Sequence, residues 1–282
     1  MLTTPDAITG KTSWDLGLSL GFDRAAGGTV LARRRHDGPL IVQKPLYPEG
    51  RDVCHAAIVH APGGIAGGDR LKLDIDLGHG AHALLTTPAA TRWYKAAGRE
   101  AQQTIAIEVA DTAIAEWLPH ETIVFDQAQA RNRMTVALDA TSVYAGWEIT
   151  CLGRRASGEL FESGYLKQRL DIARCGRPIW TERLALAAGG RLLQSPMGLA
   201  GRHVSGTMVV AAGPLPADLL ETCRTVTAIS GEGAVTALPD AMVARYLGSS
   251  AEHAKSYFET LRTILRPWYA GRPALKPRLW DT

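Results

Sequence analysis

The sequence predicts a mainly β protein: two stacked layers of mostly antiparallel strands, solenoid-like or sandwich-like, with about two helices, the clearer one near the C-terminus. Three observations support this fold class. Residues 71–77 alternate between apolar and polar side chains, which is typical of a strand with one buried face. A pattern of strand end, small-residue turn and returning strand recurs about every 30 residues, from Leu77, Val109 and Leu138. No helical periodicity lies between these repeats, which favours layered sheets over an α/β fold.

The most sharply defined element is a glycine-dense turn at residues 63–68, which precedes the alternating strand. Its glycines predict a tight backbone crossing in which positive φ angles are required. A phosphate-binding loop is excluded, because Asp69 and Arg70 stand where such a loop has lysine and a hydroxyl residue, and its flanks are strand-like. A second strand follows at residues 81–87, and the chain leaves it at Pro88.

Further strands are predicted on both sides of this region from apolar alternation and from Gly, Pro and Asp turn residues. Residues 13–42 contain two or three short strands, and the other predicted strands lie at 54–59, 105–109, 164–172, 180–186, 207–212 and 242–247.

Two segments have a helical period. Residues 217–226 carry the first apolar face of period 3.6, and a longer apolar stripe runs from Ser250 to Leu265. Ser250 suits an N-cap, and Pro267 is expected to stop the helix. The tail from residue 273 is proline-rich and cannot be a central strand. We therefore predict a single β domain over residues 1–282, including the C-terminal helix at about 250–266 and the proline-rich tail.

The composition indicates a globular protein and argues against several classes. Of the 282 residues, 46% are hydrophobic and 21% charged, and the net charge is +3. No apolar run approaches the ~18 residues that a membrane helix needs. Aromatic residues make up only 6%, which with the balanced charge argues against a nucleic-acid binder. The N-terminus lacks a secretory pattern, so a cytoplasmic location is predicted. The cysteines form no CxxC pair and are interpreted as reduced thiols: Cys54, Cys151, Cys175 and Cys223.

Two histidine motifs resemble parts of metal sites. His120-Glu121 begins like a zincin motif, but Val124 stands where the second histidine ligand should be. His79 and His82 flank a turn at a spacing that could chelate a metal. Exposed turn histidines are the commoner explanation, and both readings of this pair stay open.

Three carboxylates interrupt apolar strand-like segments: Glu116, Glu148 and Glu182. A lone buried carboxylate is costly, so such groups pair with a cation, raise their pKa or line a polar cavity. Each one alone could be an outward strand residue, but together they indicate polar space inside the protein. Neither a G-x-S-x-G elbow nor a cysteine in a basic, histidine-containing setting accompanies them, and no catalytic residue is predicted.

Six separated motifs resemble the urease accessory protein UreD family, also named UreH. They occur in the family's order over nearly the whole chain: HAPGGIAGGDRL, LLTTPAATRWY, EWLPHETIVFD, GWEITCLGR with SGE-x-F, GRPIWTERL and GRPALKPRLW. The departures are small, with Ala61, Ala89-Ala90 and Trp93 replacing the family's more usual residues, and none of them removes a charged group.

The resemblance implies a scaffold without catalytic activity. Such a protein binds a UreF-like protein, through it the GTPase UreG, and apo-urease, and it helps to deliver nickel to urease. It binds no nucleic acid, no membrane and no tight cofactor. Nickel(II) is bound only transiently, as it moves through an internal water-filled passage. The helix at 250–265 and the tail near Trp268, Arg272 and Trp280 are a candidate UreF contact, although packing of an amphipathic helix on a sheet would give the same pattern.

On this resemblance we expect Glu148 and Glu182 to line the nickel passage, with Thr91 as a polar neighbour. A second group of candidate passage residues comprises Asp69, Glu116, Glu121 and Asp126. The alternative function is a metal-dependent hydrolase that uses His60, Asp69, His120 and Glu121. A hydrolase requires a tight site with at least three convergent ligands, whereas a conduit requires weak, exchangeable ones.

Overall fold

The computed structural model describes residues 13–281. Most of the N-terminal stretch in which no secretory pattern was found, residues 1–12, lies outside the described residues, as does residue 282, so the predicted domain 1–282 is described over 13–281.

The chain forms two stacked sheets, as the sequence predicts for a mainly β, solenoid-like protein. Seven strands form the first sheet in the order β14-β13-β11-β8-β5-β1-β2. They are β1 (Asp15–Ala25), β2 (Gly28–Asp37), β5 (Arg70–Leu77), β8 (Ala101–Val109), β11 (Gln129–Leu138), β13 (Tyr165–Arg174) and β14 (Arg177–Ala187).

Ten strands form the second sheet, with the main path β16-β17-β15-β12-β9-β6-β4-β3. Its members are β3 (Leu40–Val42), β4 (Val53–His60), β6 (His82–Thr86), β7 (Thr91–Trp93), β9 (Ile114–Trp117), β10 (Thr122–Val124), β12 (Val143–Leu152), β15 (Val204–Ala211), β16 (Glu232–Ala237) and β17 (Met242–Gly248). The short strand β10 pairs with β12 and β7 beside this path.

The repeat seen in the sequence is the coil of the solenoid. The chain passes from the first sheet to the second and back, and each coil stacks on the previous one. Leu77 and Leu138 both pair with Val109 in the first sheet, and His82 and Val143 both pair with Ile114 in the second. The three sequence copies are therefore neighbours in space, and the interpretation as stacked repeats is confirmed.

The strand directions differ from the expected mostly antiparallel arrangement. Among the strand pairs of the described residues, nine run parallel and six antiparallel. Each coil returns to the same sheet in the same direction, so strands one coil apart must be parallel. Antiparallel pairs flank the coils, as in β1–β2 and β13–β14. Alternation within a strand reports which face is buried and carries no information on the direction of the neighbour.

The glycine turn is a tight backbone crossing, as predicted. Gly63 and Gly68 have φ of 78° and 93°, and a Cβ on Gly67 would lie 1.9 Å from the carbonyl oxygen of Ala96. Ile65 within the turn pairs with Trp93 at the end of β7. The turn is thereby held against the second sheet, beside the space between the two layers.

Strand β12 separates two apolar cores. Tyr144 and Leu152 face the core between the sheets, whereas Trp147 and Ile149 face a second core. Helix α3 (Ala251–Ala270) covers this second core with Phe258 and its apolar neighbours. Both faces of β12 are largely covered for this reason, and Glu148 near its middle is partly buried.

Three helices are present in the described chain, one more than expected. Helix α1 (Arg191–Gln194) is a single turn, and no helical periodicity in the sequence predicts it. Helix α2 (Ala217–Arg224) agrees with the predicted segment. The side chain of Ser250 caps α3 by accepting from His253 N at 3.2 Å, as predicted. None of the helices in residues 13–281 has the length and apolar content to span a bilayer.

The expected stop of α3 at Pro267 is wrong. The helix continues to Ala270 and ends at Gly271, which has φ of 64°. Arg266 and Tyr269 on either side of the proline are buried and hydrogen-bonded to Glu116. These tertiary contacts hold the last turn in place despite the missing backbone donor.

Candidate functional site

Two cavities between the sheets share one acidic side chain, Glu148. The larger cavity has a volume of about 360 Å³ and the smaller about 120 Å³. Glu148 lines both, whereas Glu182 lines the larger and Thr91 the smaller. These three expected passage residues are therefore brought to one region of the molecule, although 91 sequence positions separate the outer two.

Glu148 lies in the middle of β12, on the face directed at the first sheet. Its Oε1 accepts a hydrogen bond from Asn132 Nδ2 of β11 at 3.3 Å. Burial raises the pKa of Glu148 to about 7, and the nearby Glu182 carboxylate adds to the rise, while the Asn132 bond opposes it. Near neutral pH this carboxyl is divided between its neutral and charged forms, and a cation that approaches it competes with a proton.

Glu182 lies on β14 among inward-facing residues, with Trp180 and Leu184 two positions away on either side. Its Oε1 accepts from Arg245 Nη1 at 2.8 Å and from Thr207 Oγ1 at 3.1 Å. The Arg245 side chain is 54% exposed, so this ion pair lies where the larger cavity meets solvent. The arginine neutralises Glu182 and can move away without leaving a core position.

The smaller cavity has an imidazole at two places in its wall. His60 at the end of β4 and His120 in the β9–β10 connection line it together with Thr91. Burial lowers the pKa of His60, and the Asp69 carboxylate partly opposes this shift. The Nε2 atoms of both histidines are buried and lack a hydrogen-bond partner.

Glu116 occupies a different environment from the other interior carboxylates. It is fully buried on β9 and lines neither cavity. Its Oε2 accepts from Arg262 Nη2 at 2.9 Å, and its Oε1 accepts from Arg266 Nη2 at 2.8 Å. His82 Nε2 lies 2.7 Å from Oε1, and Tyr269 donates to Oε2 at 3.1 Å.

The charge of Glu116 is compensated inside the protein. Burial alone would raise its pKa, but Arg262 first, then His82 and Arg266, hold it well below the usual range. Arg266 Nη2 also donates to Glu49 Oε1 at 2.9 Å, so this guanidinium joins two carboxylates. Glu116 therefore fastens α3 to the solenoid and lies outside the two cavities that share Glu148.

Sequence reasoning missed the arginines of this cluster. Arg262 and Arg266 are buried, yet they fall one helical turn apart beside the apolar stripe of α3. A cationic side chain within an apolar stripe indicates a buried carboxylate partner. A carboxylate such as Glu116 within an apolar strand indicates a buried cation in the same way. The partners are 146 and 150 positions away in the chain, so no local pattern connects them.

Asp69 and Asp126 have local structural roles and line neither cavity. Asp69 accepts from Trp14 N at 2.7 Å and Ala66 N at 2.8 Å, which fixes the end of the glycine turn. Asp126 accepts from Glu162 N at 2.9 Å and Ser163 N at 2.7 Å. Both bind backbone donors, so the structure does not bring them into the space expected of passage residues.

Glu121 lies beside His120, with Oε2 3.8 Å from Nδ1, and does not itself line the smaller cavity. The adjacent His120 imidazole lowers the pKa of Glu121. His79 lies 3.5 Å from Thr112 Oγ1 at the surface. His82 is hydrogen-bonded to Glu116 at 2.7 Å, and both histidines line one further pocket at the surface.

The residues of the hydrolase alternative do not assemble into a ligand set. Asp69 is occupied by backbone donors, and the other three lie around or beside the smaller cavity. Across residues 13–281 no group of three or more His, Cys, Asp and Glu side chains is arranged to hold a metal ion.

The apolar stripe of α3 is used within the molecule. Tyr257, Phe258 and Leu261 are buried against the second sheet. Trp280 of the tail donates to Thr86 Oγ1 at 2.8 Å and stacks against Lys255 with its ammonium 4.0 Å from the ring centroid. Packing on the sheet therefore accounts for the stripe and for Trp280.

Comparison with known proteins gives a consistent result. The family model described as UreD urease accessory protein matches residues 16–281. The chain is 51% identical over 272 residues to a protein from Azoarcus sp. (strain BH72) named urease accessory protein UreD, covering 96% of this chain and 95% of that one. Proteins of the same name are 49% identical over 274 residues in Dechloromonas aromatica (96% and 95% covered) and 46% identical over 283 residues in Methylobacillus flagellatus (100% and 99% covered).

Proposed function

The chain belongs to the UreD family of urease accessory proteins, and we propose that it serves urease maturation by conducting nickel(II) through its interior to apo-urease. The protein makes and breaks no covalent bonds in this role. It holds partners together and provides a polar route for the ion.

The observation that carries the proposal is the sharing of Glu148 by two cavities between the sheets. In the proposed route, an ion passes from one cavity to the other at this carboxylate. Glu182 stands in the larger cavity and Thr91 in the smaller, so oxygen donors are present on both sides. The route runs through the molecule between its two layers.

The donors suit transit better than storage. Nickel(II) accepts carboxylate, hydroxyl and water oxygens, but a tight site needs several converging ligands. Glu148 supplies a carboxylate whose pKa of about 7 lets a proton replace the departing ion. Glu182 is paired with Arg245, so the ion meets one compensated and one titratable carboxylate in sequence.

We further propose that the chain binds a UreF-like protein, through it the GTPase UreG, and apo-urease, in the cytoplasm and without nucleic acid or membrane. The four cysteines, all in the described part of the chain, are unpaired, which is typical of proteins in a reducing compartment. Co-purification of the untagged chain with a tagged UreF-like protein tests the partner assignment. Failure to co-purify at micromolar concentrations would contradict it.

The passage is tested by replacing its carboxylates with amides of the same shape. In Glu148→Gln and Glu182→Gln we expect intact complexes with partners but at least fivefold less nickel in urease after activation for a fixed time. The matched control is Glu108→Gln on β8, which is exposed on the outer face of the first sheet. Nickel per urease active site is measured by atomic spectroscopy.

The outcomes separate transport from assembly. Normal nickel loading in both cavity variants would overturn the passage. A loss of loading that accompanies loss of the complex would assign these residues to assembly instead and overturn their role as passage residues.

A further inference from the structure

Three carboxamides occupy equivalent positions on neighbouring strands of the first sheet. Gln103 of β8 and Gln168 of β13 both pair with Asn132 of β11. All three face the second sheet, and the inward-facing residues two positions before and after each of them on its strand are apolar. These neighbours are Ala101 and Ile105 on β8, Ala130 and Met134 on β11, and Leu166 and Leu170 on β13. They form one polar row across an apolar face, which we name the amide row.

The amide row runs from one cavity to the other. Gln103 and Asn132 line the smaller cavity, and Gln168 lines the larger. Opposite the row on β12 are Glu148, which accepts from Asn132 Nδ2 at 3.3 Å, and Thr150, which donates to Gln168 Oε1 at 3.2 Å. The row and Glu148 therefore lie where the linings of the two cavities adjoin.

One buried atom of the row has no partner. Asn132 is only 6% exposed, and its Oδ1 accepts no hydrogen bond. A buried carbonyl oxygen without a donor costs roughly 1–3 kcal/mol, so such an atom requires an explanation. Where amides stack only to stabilise a solenoid, the NH₂ group of one amide donates to the carbonyl oxygen of the next. In Asn132 the NH₂ group is instead turned to Glu148, and the oxygen is left for another ligand.

We propose that the amide row and Glu148 form a binding site for a divalent cation at the crossing between the cavities, with Asn132 Oδ1 as its central neutral ligand. The site rests on the proposed function and specifies where the ion is held during transit. Amide oxygens are hard, uncharged donors, so with a single carboxylate they replace part of the hydration shell without forming a tight cage. Retaining weak binding at this point lets the ion leave toward either cavity.

The first test removes the oxygens and keeps the volume. Asn132→Leu and the double variant Gln103→Met with Gln168→Met are each expected to lower nickel per urease active site at least fivefold at a fixed activation time. The matched control is Gln102→Met, the neighbouring residue on the outer face of β8, where the side chain donates to Glu100. Thermal unfolding of each variant and its recovery in the accessory complex are measured alongside.

The second test distinguishes a ligand from a structural residue. Asn132→Asp keeps the size and adds a charge beside Glu148, so the site should hold the ion more tightly. We expect at least threefold more nickel(II) retained by the chain after dialysis, together with slower transfer to urease. A residue that only supports the sheet would not raise retention, so unchanged retention in a folded Asn132→Asp protein overturns the site.

Failure of this inference and failure of the proposed function give different results. If the amide variants load urease normally while Glu148→Gln does not, the cation site at the row is wrong and the passage stands. If the amide variants, Glu148→Gln and Glu182→Gln all load urease normally, both are wrong.

Discussion

A single carboxyl, that of Glu148, carries the chemistry proposed for this chain. Its pKa of about 7 arises from burial and from the second carboxylate, Glu182, across the larger cavity. Near neutral pH this group is therefore divided between its protonated and ionised forms, and a cation that binds it displaces the proton. This is the exchange that a transit site requires.

The raised pKa predicts the pH dependence of stability. Because the native protein binds this proton more tightly than the unfolded chain, the contribution of Glu148 is fully present below its ordinary pKa of 4.5 and is lost as the pH rises through about 7. Relative to Glu148→Gln, the wild type should lose up to about 3 kcal/mol of unfolding free energy between pH 4.5 and pH 8. Urea unfolding of both proteins across this range measures the difference.

Glu108→Gln serves as the control, since Glu108 is an exposed glutamate on the outer face of the first sheet. A constant difference between wild type and Glu148→Gln at all pH values would contradict the raised pKa. Glu49 should act in the opposite direction, because its pKa is lowered to about 2 by His55 and Arg266 against the cost of burial. Its contribution is lost as the pH falls below 4.5.

At the scale of elements, α3 is tied to the solenoid by ions as well as by apolar packing. Arg266 is completely buried and joins Glu116 of β9 to Glu49, which precedes β4. Removing one partner of such a cluster leaves a buried charge uncompensated, which costs far more than the pair contributes as a whole. The cluster also fixes the last turn of α3 beyond Pro267.

Arg266→Met should therefore lower the free energy of unfolding by about 3–5 kcal/mol at pH 7. Arg131→Met is the matched control, because Arg131 forms a comparable pair with Glu100 at 2.7 Å but its side chain is 49% exposed. That change should cost no more than about 1 kcal/mol. Equal losses in the two variants, measured by urea unfolding, would show that the Glu116 cluster does not hold the helix.

At the scale of the whole molecule, the two-layer solenoid creates the cavities. In parallel coils, residues at equivalent positions of successive strands lie side by side. One polar residue at the same position in each coil therefore produces a row across the interior. Gln103, Asn132 and Gln168 are such a row, opposite Glu148 on the second sheet. The polar space is thus a product of the repeat and belongs to no single coil.

This architecture predicts weak, exchangeable metal binding by the isolated chain. In residues 13–281 no three His, Cys, Asp or Glu side chains converge to hold an ion. Nickel(II) added to the untagged protein should be removed by dialysis against a chelator to well below one ion per chain. One equivalent that resists the chelator, measured by atomic spectroscopy, would instead favour the metal-dependent hydrolase.

The sequence determined the class of fold, the coil repeat and the glycine crossing, because alternation, turn residues and helical period are local properties of the chain. It also singled out Glu148 and Glu182 as interior carboxylates, since both interrupt apolar segments. By the same argument it grouped Glu116 with them, but the local pattern does not show that Glu116 is paired with buried arginines. The partners Arg262 and Arg266 come from the far end of the chain and turn Glu116 into a structural ion cluster.

Only the tertiary structure decided which carboxylate faces open space, which strands run parallel, and that three amides on separate coils form one row. Each of these properties depends on the register between segments about 30 residues or more apart, and alternation specifies a face but not the neighbour that the face meets. The local pattern of the chain thus determines which side chains face the interior, and the stacking of the coils determines which residues they contact there.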